Sequence, residues 1–105
     1  MTRRVNLYRW DQLPLEKITE MVTRKVIASD DLSLIQAYFK KGALVPLHTH
    51  RSDFFVYVLQ GALRVQVGAA DVTVREGEVL TIPGGAGHQA ESLDDSFVMT
   101  IGLRT

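Results

Sequence analysis

Residues 42–61 read GALVPLHTHRSDFFVYVLQG, and this stretch decides the fold. His48 and His50 stand one residue apart, so on an extended strand their side chains point to the same face. The apolar run from Phe54 to Leu59 is typical of a buried strand, and it stops at Gly61, a residue typical of turns. We therefore predict a strand that presents two imidazoles, followed by a second, buried strand.

A third histidine, His88, follows the turn sequence Pro83-Gly84-Gly85-Ala86-Gly87, and the chain has no other histidine. A His-x-His pair is by itself also typical of ordinary surface or core histidines, but the third histidine after a Pro-Gly turn favours a metal site. Neutral imidazoles suit iron, zinc, nickel and manganese. We predict that His48, His50 and His88 hold one divalent transition metal per chain. Three protein ligands leave coordination positions open, as in a catalytic or ligand-binding site.

The rest of the chain indicates an all-β fold. Six to eight short strands are expected, separated by glycine turns, and the clearest lie at residues 32–39, 54–59, 63–67, 72–75, 79–82 and 97–101. Such spacing is typical of a sandwich or barrel. The segment from Leu13 to Val26 is ambiguous, because Pro14 favours a short helical turn and the β-branched Val22 and Val26 favour a strand.

Composition narrows the class of protein. A chain of 105 residues is expected to form one domain, residues 1–105, and a formal net charge of zero argues against a nucleic-acid-binding surface. No apolar run approaches the ~18 residues of a membrane span, so we expect no membrane association. The absence of cysteine is compatible with a reducing cytoplasm, which is the predicted location.

Two motifs resemble those of the cupin family. Gly42-x5-His48-x-His50, continuing to Gly61, resembles the first cupin motif, and residues 77–88, GEVLTIPGGAGH, resemble the second. The resemblance implies a double-stranded β-helix, or jelly-roll barrel, over residues 32–103, with the metal inside it. It also implies that residues 1–30 form an N-terminal arm and strands that promote dimerisation. The run at 54–59 is apolar on both faces, which likewise predicts a homodimer.

The chain departs from the family pattern at one position. Where cupins usually place a Glu or Gln ligand after the second histidine, this chain has Phe54. The neighbouring Asp53 points to the opposite face of a regular strand, so it becomes a fourth ligand only through a bulge or at the end of the strand. With Phe54 inside, the metal has three histidines and no protein carboxylate, and it favours an anionic or chelating ligand.

Several polar side chains are candidates for the ligand pocket beside Phe54. Gln36 and Tyr38 share one face of their predicted strand, and Tyr57 and Gln66 lie in neighbouring strands. Each of these types is also common as a surface or packing residue. Where such groups face the barrel, they orient the oxygen atoms of a bound small molecule.

Two classes of function remain open. The first is a metal-dependent enzyme that acts on a small anionic or oxygen-rich molecule, either as a sugar-acid isomerase-like cupin or as a three-histidine dioxygenase. A related group of short cupins includes one that converts unsaturated uronates to keto forms during pectin breakdown. The second is a cupin that binds a small ligand or a metal without turnover.

Overall fold

The computed structural model describes residues 4–104, and within this range the chain forms ten strands and one 3-10 helix at Trp10–Gln12. The first three residues of the predicted N-terminal arm lie outside the described range. The strands are β1 Glu16–Thr19, β2 Val22–Ala28, β3 Leu32–Phe39, β4 Leu44–His48, β5 Phe54–Gln60, β6 Ala62–Val67, β7 Ala70–Arg75, β8 Val79–Ile82, β9 His88–Ser92 and β10 Ser96–Leu103.

The strands form two antiparallel sheets that pack face to face, so the predicted all-β jelly-roll is confirmed. The larger sheet has the order β1-β2-β3-β10-β5-β8, and the smaller has the order β4-β9-β6-β7. β5 pairs with β10 and β8 rather than with its chain neighbours β4 and β6. The chain therefore crosses between the sheets, and residues 48–50 and residue 88 are brought to one end of the barrel.

The core lies between the sheets and is built from side chains that alternate along each strand. Val56 and Val58 of β5 face Leu63 and Val65 of β6, and all four are less than 10% exposed. Val74, Ile82 and Val98 complete the buried cluster. Burying β-branched side chains between two pleated surfaces is the main stabilising contribution in such a fold.

The structure decides one open alternative and corrects one expectation. Between Leu13 and Val26, where a helical turn and a strand were both open, the chain forms strands: the 3-10 helix ends earlier, at Gln12, and β1 pairs with β2 from Glu16 onward. Six to eight strands are expected from the sequence, and residues 4–104 form ten. β4 contains Pro46, which lacks an amide hydrogen, and the strand tolerates it because it lies at the edge of its sheet.

The outer face of the larger sheet is apolar over several strands. Phe55 of β5 pairs with Ile101 of β10, which pairs with Leu34 of β3. Phe55 is 48% exposed and Ile101 is 38% exposed. Next to this face, the Lys25 ammonium donates a hydrogen bond to the Trp10 carbonyl at 2.7 Å, which ties the N-terminal segment to β2. Within residues 4–104, no helix has the length and apolar character needed to cross a membrane.

Candidate metal centre

His48 and His88 are brought together by the pairing of β4 with β9. His48 is the last residue of β4, His88 is the first of β9, and the two are direct cross-strand partners. Their ring centroids lie 4.1 Å apart. Direct partners in an antiparallel pair have side chains on the same face, and here that face is the barrel interior.

His50 reaches the same point from a loop. β4 ends at His48, so the predicted extended strand stops before His50, whose position depends on other contacts. Its carbonyl accepts a hydrogen bond from the Gly85 amide at 2.7 Å. The His50 ring is 5.0 Å from that of His48 and 5.4 Å from that of His88, measured between centroids. One nitrogen from each of the three rings lies within 4.8 Å of the other two.

The hydrogen bonds of two of these rings fix their tautomers. Nδ1 of His48 lies 2.8 Å from the Pro46 carbonyl, and Nδ1 of His88 lies 3.0 Å from the Ala86 carbonyl. A carbonyl oxygen only accepts, so both Nδ1 atoms carry the hydrogen, and in the neutral rings both Nε2 atoms carry a lone pair.

Those two Nε2 atoms face each other at 3.0 Å. Two lone pairs at this distance repel unless a cation or a proton lies between them. When two nitrogens each lie about 2.1 Å from the same metal ion, the distance between them is about 3.0–3.4 Å. This range corresponds to N–metal–N angles between a right angle and the tetrahedral angle. The donor set therefore fits a divalent transition metal, and Nδ1–H bonds to carbonyls are the usual outer contacts of metal-binding histidines.

His50 has an environment that keeps it neutral. Burial lowers its pKa, and the nearby His48 and His88 imidazoles lower it further when they carry charge. A depressed pKa preserves the lone pair that a metal requires. The surroundings thus favour the ligand form of this imidazole.

Phe54 lies inside the barrel against the histidines. The centroid of its ring is 4.7 Å from that of His50 and 5.3 Å from that of His88. Among residues 4–104, no carboxylate joins the three-histidine group. The position at which cupins usually offer a fourth ligand is therefore occupied by an apolar ring that packs beside His50 and His88.

Asp53 contacts the backbone of a neighbouring loop. Its Oδ1 accepts a hydrogen bond from the Gly84 amide at 2.7 Å, in the loop that precedes His88. The Asp53 carboxylate therefore binds the backbone of this loop and is not part of the three-histidine group.

The other four pocket candidates lie away from the histidines. Gln36, Tyr38 and Tyr57 are on the outer face of the larger sheet, where Met99 is the cross-strand partner of both Gln36 and Tyr57. Tyr38 stacks on Phe97, with the centroids 4.6 Å apart. Gln66 lies on the outer face of the smaller sheet and accepts a hydrogen bond from Gln89. Of the five candidates, only Phe54 lines the cavity.

The cavity at the histidines has a volume of about 600 Å³ and is mostly apolar. Among residues 4–104, two arginines line it: Arg24 of β2 and Arg104, which directly follows β10. Arg24 donates through Nε to Glu16 at 3.0 Å, and Arg104 donates to the Ser29 carbonyl at 3.0 Å. Sequence analysis missed Arg24, although it alternates in phase with Val22 and Val26 on the cavity face of β2.

The chain is similar in sequence to known proteins. A family model described as "Cupin domain" matches residues 36–101. The pectin degradation protein KdgF of Dickeya dadantii is 29% identical over 91 residues, which are 85% of this chain and 83% of that protein.

Solved structures agree in fold. The structure of KdgF from Halomonas sp. superimposes with a TM-score of 0.85 at 26% identity, covering 95% of this chain and 96% of the other. An RmlC-like cupin from Shewanella frigidimarina superimposes with a TM-score of 0.88 at 21% identity, covering 100% of this chain and 96% of the other. The second likeness concerns the fold alone.

Proposed function

The chain belongs to the cupin domain family, and from this premise we propose that it binds one divalent transition metal through His48, His50 and His88 and acts on a small anionic molecule. One observation carries the proposal: the Nε2 atoms of His48 and His88 face each other at 3.0 Å while both Nδ1 atoms are engaged by carbonyls. A metal ion is the natural partner of such lone pairs, and iron, zinc, nickel and manganese all suit the donor set.

The metal, when bound, supplies Lewis-acid polarisation of a carbonyl or enol oxygen. The side chains of the protein have complementary roles. The histidines are neutral donors, so they leave the positive charge of the ion uncompensated. Phe54 packs against His50 and His88 and keeps water from that side, which strengthens electrostatic interactions in the cavity.

The charge of the cavity supports an anionic ligand. Arg24 and Arg104 line it together with the histidines, and a guanidinium binds a carboxylate through paired N–H donors. A guanidinium carries five N–H donors, of which Nε of Arg24 donates to Glu16 and one terminal nitrogen of Arg104 donates to the Ser29 carbonyl.

A sugar acid is the proposed substrate class, with an isomerase-like reaction. Such a molecule carries a carboxylate for the arginines and hydroxyl or keto oxygens for the metal. The 29% identity to a pectin degradation protein supports this choice, because pectin is built from sugar acids.

Two alternatives have a specific observation in their favour. Three histidines without a carboxylate are also the ligand set of the three-histidine dioxygenases of the cupin superfamily, so oxygen-dependent chemistry is the second candidate. Binding without turnover is the third. It is favoured because Asp53, the one carboxylate of residues 4–104 that lines the cavity, is already engaged by Gly84.

Metal analysis of protein purified without added metal tests the proposal. We expect about one equivalent of a transition metal in the wild type and its loss in His50→Ala, with Gln66→Ala on the outer face as the matched control. Wild-type protein without metal, and unchanged in stability when metal is added, would overturn the proposed site.

Activity assays then separate the three candidates. Loss of the ultraviolet absorbance of an unsaturated uronate, dependent on His50, supports the isomerase. Oxygen uptake with diketones or thiols by an iron-loaded protein supports the dioxygenase. Saturable binding of a sugar acid with neither reaction supports the binding protein.

We also propose that the chain forms a homodimer through the outer face of the larger sheet. Phe55, Val79 and Leu103 on this sheet are each about half exposed, and exposed apolar patches of this extent typically mark interfaces. In the N-terminal arm, Val5 is 99% exposed and Leu7 is 80% exposed, so the arm has apolar groups to pack on a second copy. The cytoplasm is the proposed location, supported by the cysteine-free composition.

A further inference from the structure

The two loops that carry the metal ligands are joined by a pair of adjacent hydrogen bonds. The amide of Gly84 donates to Oδ1 of Asp53 at 2.7 Å, and the next amide, of Gly85, donates to the carbonyl of His50 at 2.7 Å. Two consecutive N–H groups of the loop before β9 therefore donate hydrogen bonds to the segment after β4. Of the two acceptors, only Asp53 uses a side chain, so only its bond depends on the residue type.

The backbones of the two loops are in direct contact at this point. A Cβ atom on Gly84 would lie 2.5 Å from the carbonyl oxygen of Arg51 and 2.9 Å from the backbone of Ser52. Only glycine allows this approach, because the obstructing atoms are backbone and do not move independently.

The loop that Asp53 holds also orients His88. The Ala86 carbonyl, two residues after Gly84, accepts the Nδ1–H of His88 at 3.0 Å. A displacement of this loop changes the direction of the Ala86 carbonyl and with it the direction of Nε2 of His88. The Asp53 carboxylate is thus connected to His88 through the backbone of this loop.

We propose that Asp53 is a positioning residue of the metal centre, whose carboxylate holds the Gly84 amide and thereby fixes the loop that orients His88 toward His48 and His50. This inference rests on the proposed function, since it assigns a role to the loop in metal binding. It distinguishes Asp53 from a fourth ligand, because the role needs a hydrogen-bond acceptor at Oδ1 and no negative charge.

A pair of substitutions separates these two roles. Asp53→Ala removes the acceptor, whereas Asp53→Asn keeps an oxygen acceptor of the same size and removes the charge. Zn²⁺ affinity is measured by competition with a chromophoric chelator, and the visible spectrum of the Co²⁺-loaded protein reports the ligand geometry. Asp11→Ala, which removes a carboxylate in the 3-10 helix outside the cavity lining, is the matched control.

We expect Asp53→Ala to weaken Zn²⁺ binding about ten-fold and to change the Co²⁺ spectrum, as is usual when an outer contact of a metal site is removed. Asp53→Asn is expected to match the wild type in both measurements. Equal losses in the two variants would overturn the proposal in favour of a charge or ligand role. An effect of Asp53→Ala no larger than that of Asp11→Ala would overturn it as well.

Amide hydrogen exchange in metal-free protein tests the role of Asp53 without relying on metal binding. Asp53→Ala is expected to speed exchange at Gly84 and Gly85, while Asp53→Asn leaves it unchanged. If the wild type binds no metal, the proposed function fails, and the exchange rates still decide whether Asp53 fixes the loop. Unchanged exchange in Asp53→Ala would overturn the inference whatever the metal content. Gly84→Ala, which displaces the same loop sterically, is expected to reproduce the Asp53→Ala result.

Discussion

At the scale of single residues, the candidate metal centre depends on which histidine nitrogens are already hydrogen-bonded. Nδ1 of His48 and Nδ1 of His88 are held by backbone carbonyls, so only Nε2 remains to face the interior. Phe54 closes one side of the cluster with an apolar ring. The result is a group of neutral donors that leaves a bound cation at full charge, which is why an anionic ligand is expected.

The lowered pKa of His50 predicts how stability depends on pH. Without metal, the unfolded chain takes up a proton as the pH falls through about 6.5, while folded His50 resists protonation because of burial and of its two histidine neighbours. The free energy of unfolding is therefore expected to decrease as the pH falls below about 6.5, where the unfolded chain binds the proton that folded His50 resists. Urea denaturation in the presence of a chelator measures it. A His50→Gln variant with the same dependence as the wild type would contradict the assignment.

Replacing Phe54 with glutamate is expected to change the ligand set. A carboxylate beside His50 and His88 adds an interaction of ~1–4 kcal/mol with a divalent ion, which corresponds to roughly ten-fold or tighter metal binding. The same charge is expected to weaken the binding of anionic sugar acids. Chelator competition and calorimetry measure the two effects. Phe54→Leu, which keeps the site apolar, is the control and is expected to gain no metal affinity.

At the scale of elements, the site depends on strands that approach closely. β10 passes β5 where Gly102 is the direct partner of Phe54. A Cβ atom on Gly102 would lie 2.8 Å from the Cβ of Phe54. Because Gly102 has no side chain, β10 leaves room for Phe54 to pack beside the histidines.

Gly102→Ala is accordingly expected to destabilise the fold by ~1–3 kcal/mol, since the added methyl displaces β10 or Phe54. Chemical denaturation measures the change. Gly87→Ala is the control, because its Cβ would meet only the flexible Leu47 side chain, at 3.5 Å. Equal stability losses in the two variants would show that crowding between β10 and β5 is not the cause.

At the scale of the whole molecule, the two sheets differ in width. Six strands stand against four, so β1 and β2 extend past the smaller sheet, and their inner face is only partly covered. Ile18, Val22 and Arg24 line the cavity from this overhang. The unequal sheets thus leave the inner face of β2 available to line the cavity that contains the histidines.

The outer face of the larger sheet gives the prediction for assembly. Phe55→Glu is expected to convert the proposed dimer to a monomer, because a charge in the middle of the apolar face opposes its burial. Light scattering and analytical ultracentrifugation over a range of concentrations measure the mass. Gln89→Glu, on the outer face of the smaller sheet, is the control and is expected to stay dimeric. A monomeric wild type would exclude the interface.

The sequence by itself determined the all-β class, the family and the three histidines that meet in the structure. It did so because glycine turns, alternating apolar residues and the spacing of the two motifs are local properties of the chain. It also identified Phe54 as the residue that stands at the usual ligand position, since that follows from the motif alone.

Only the tertiary structure decided which polar side chains face the cavity and what Asp53 contacts. β3 and β5 have apolar side chains on both faces. Their sequences therefore do not show which face packs against the smaller sheet and which face points away from it. Gln36 and Tyr57 consequently lie on the outer face of the larger sheet, whereas Arg24 lines the cavity. The contact between Asp53 and Gly84 joins loops 31 residues apart, and its formation depends on how β4 and β9 pair, which no local pattern specifies.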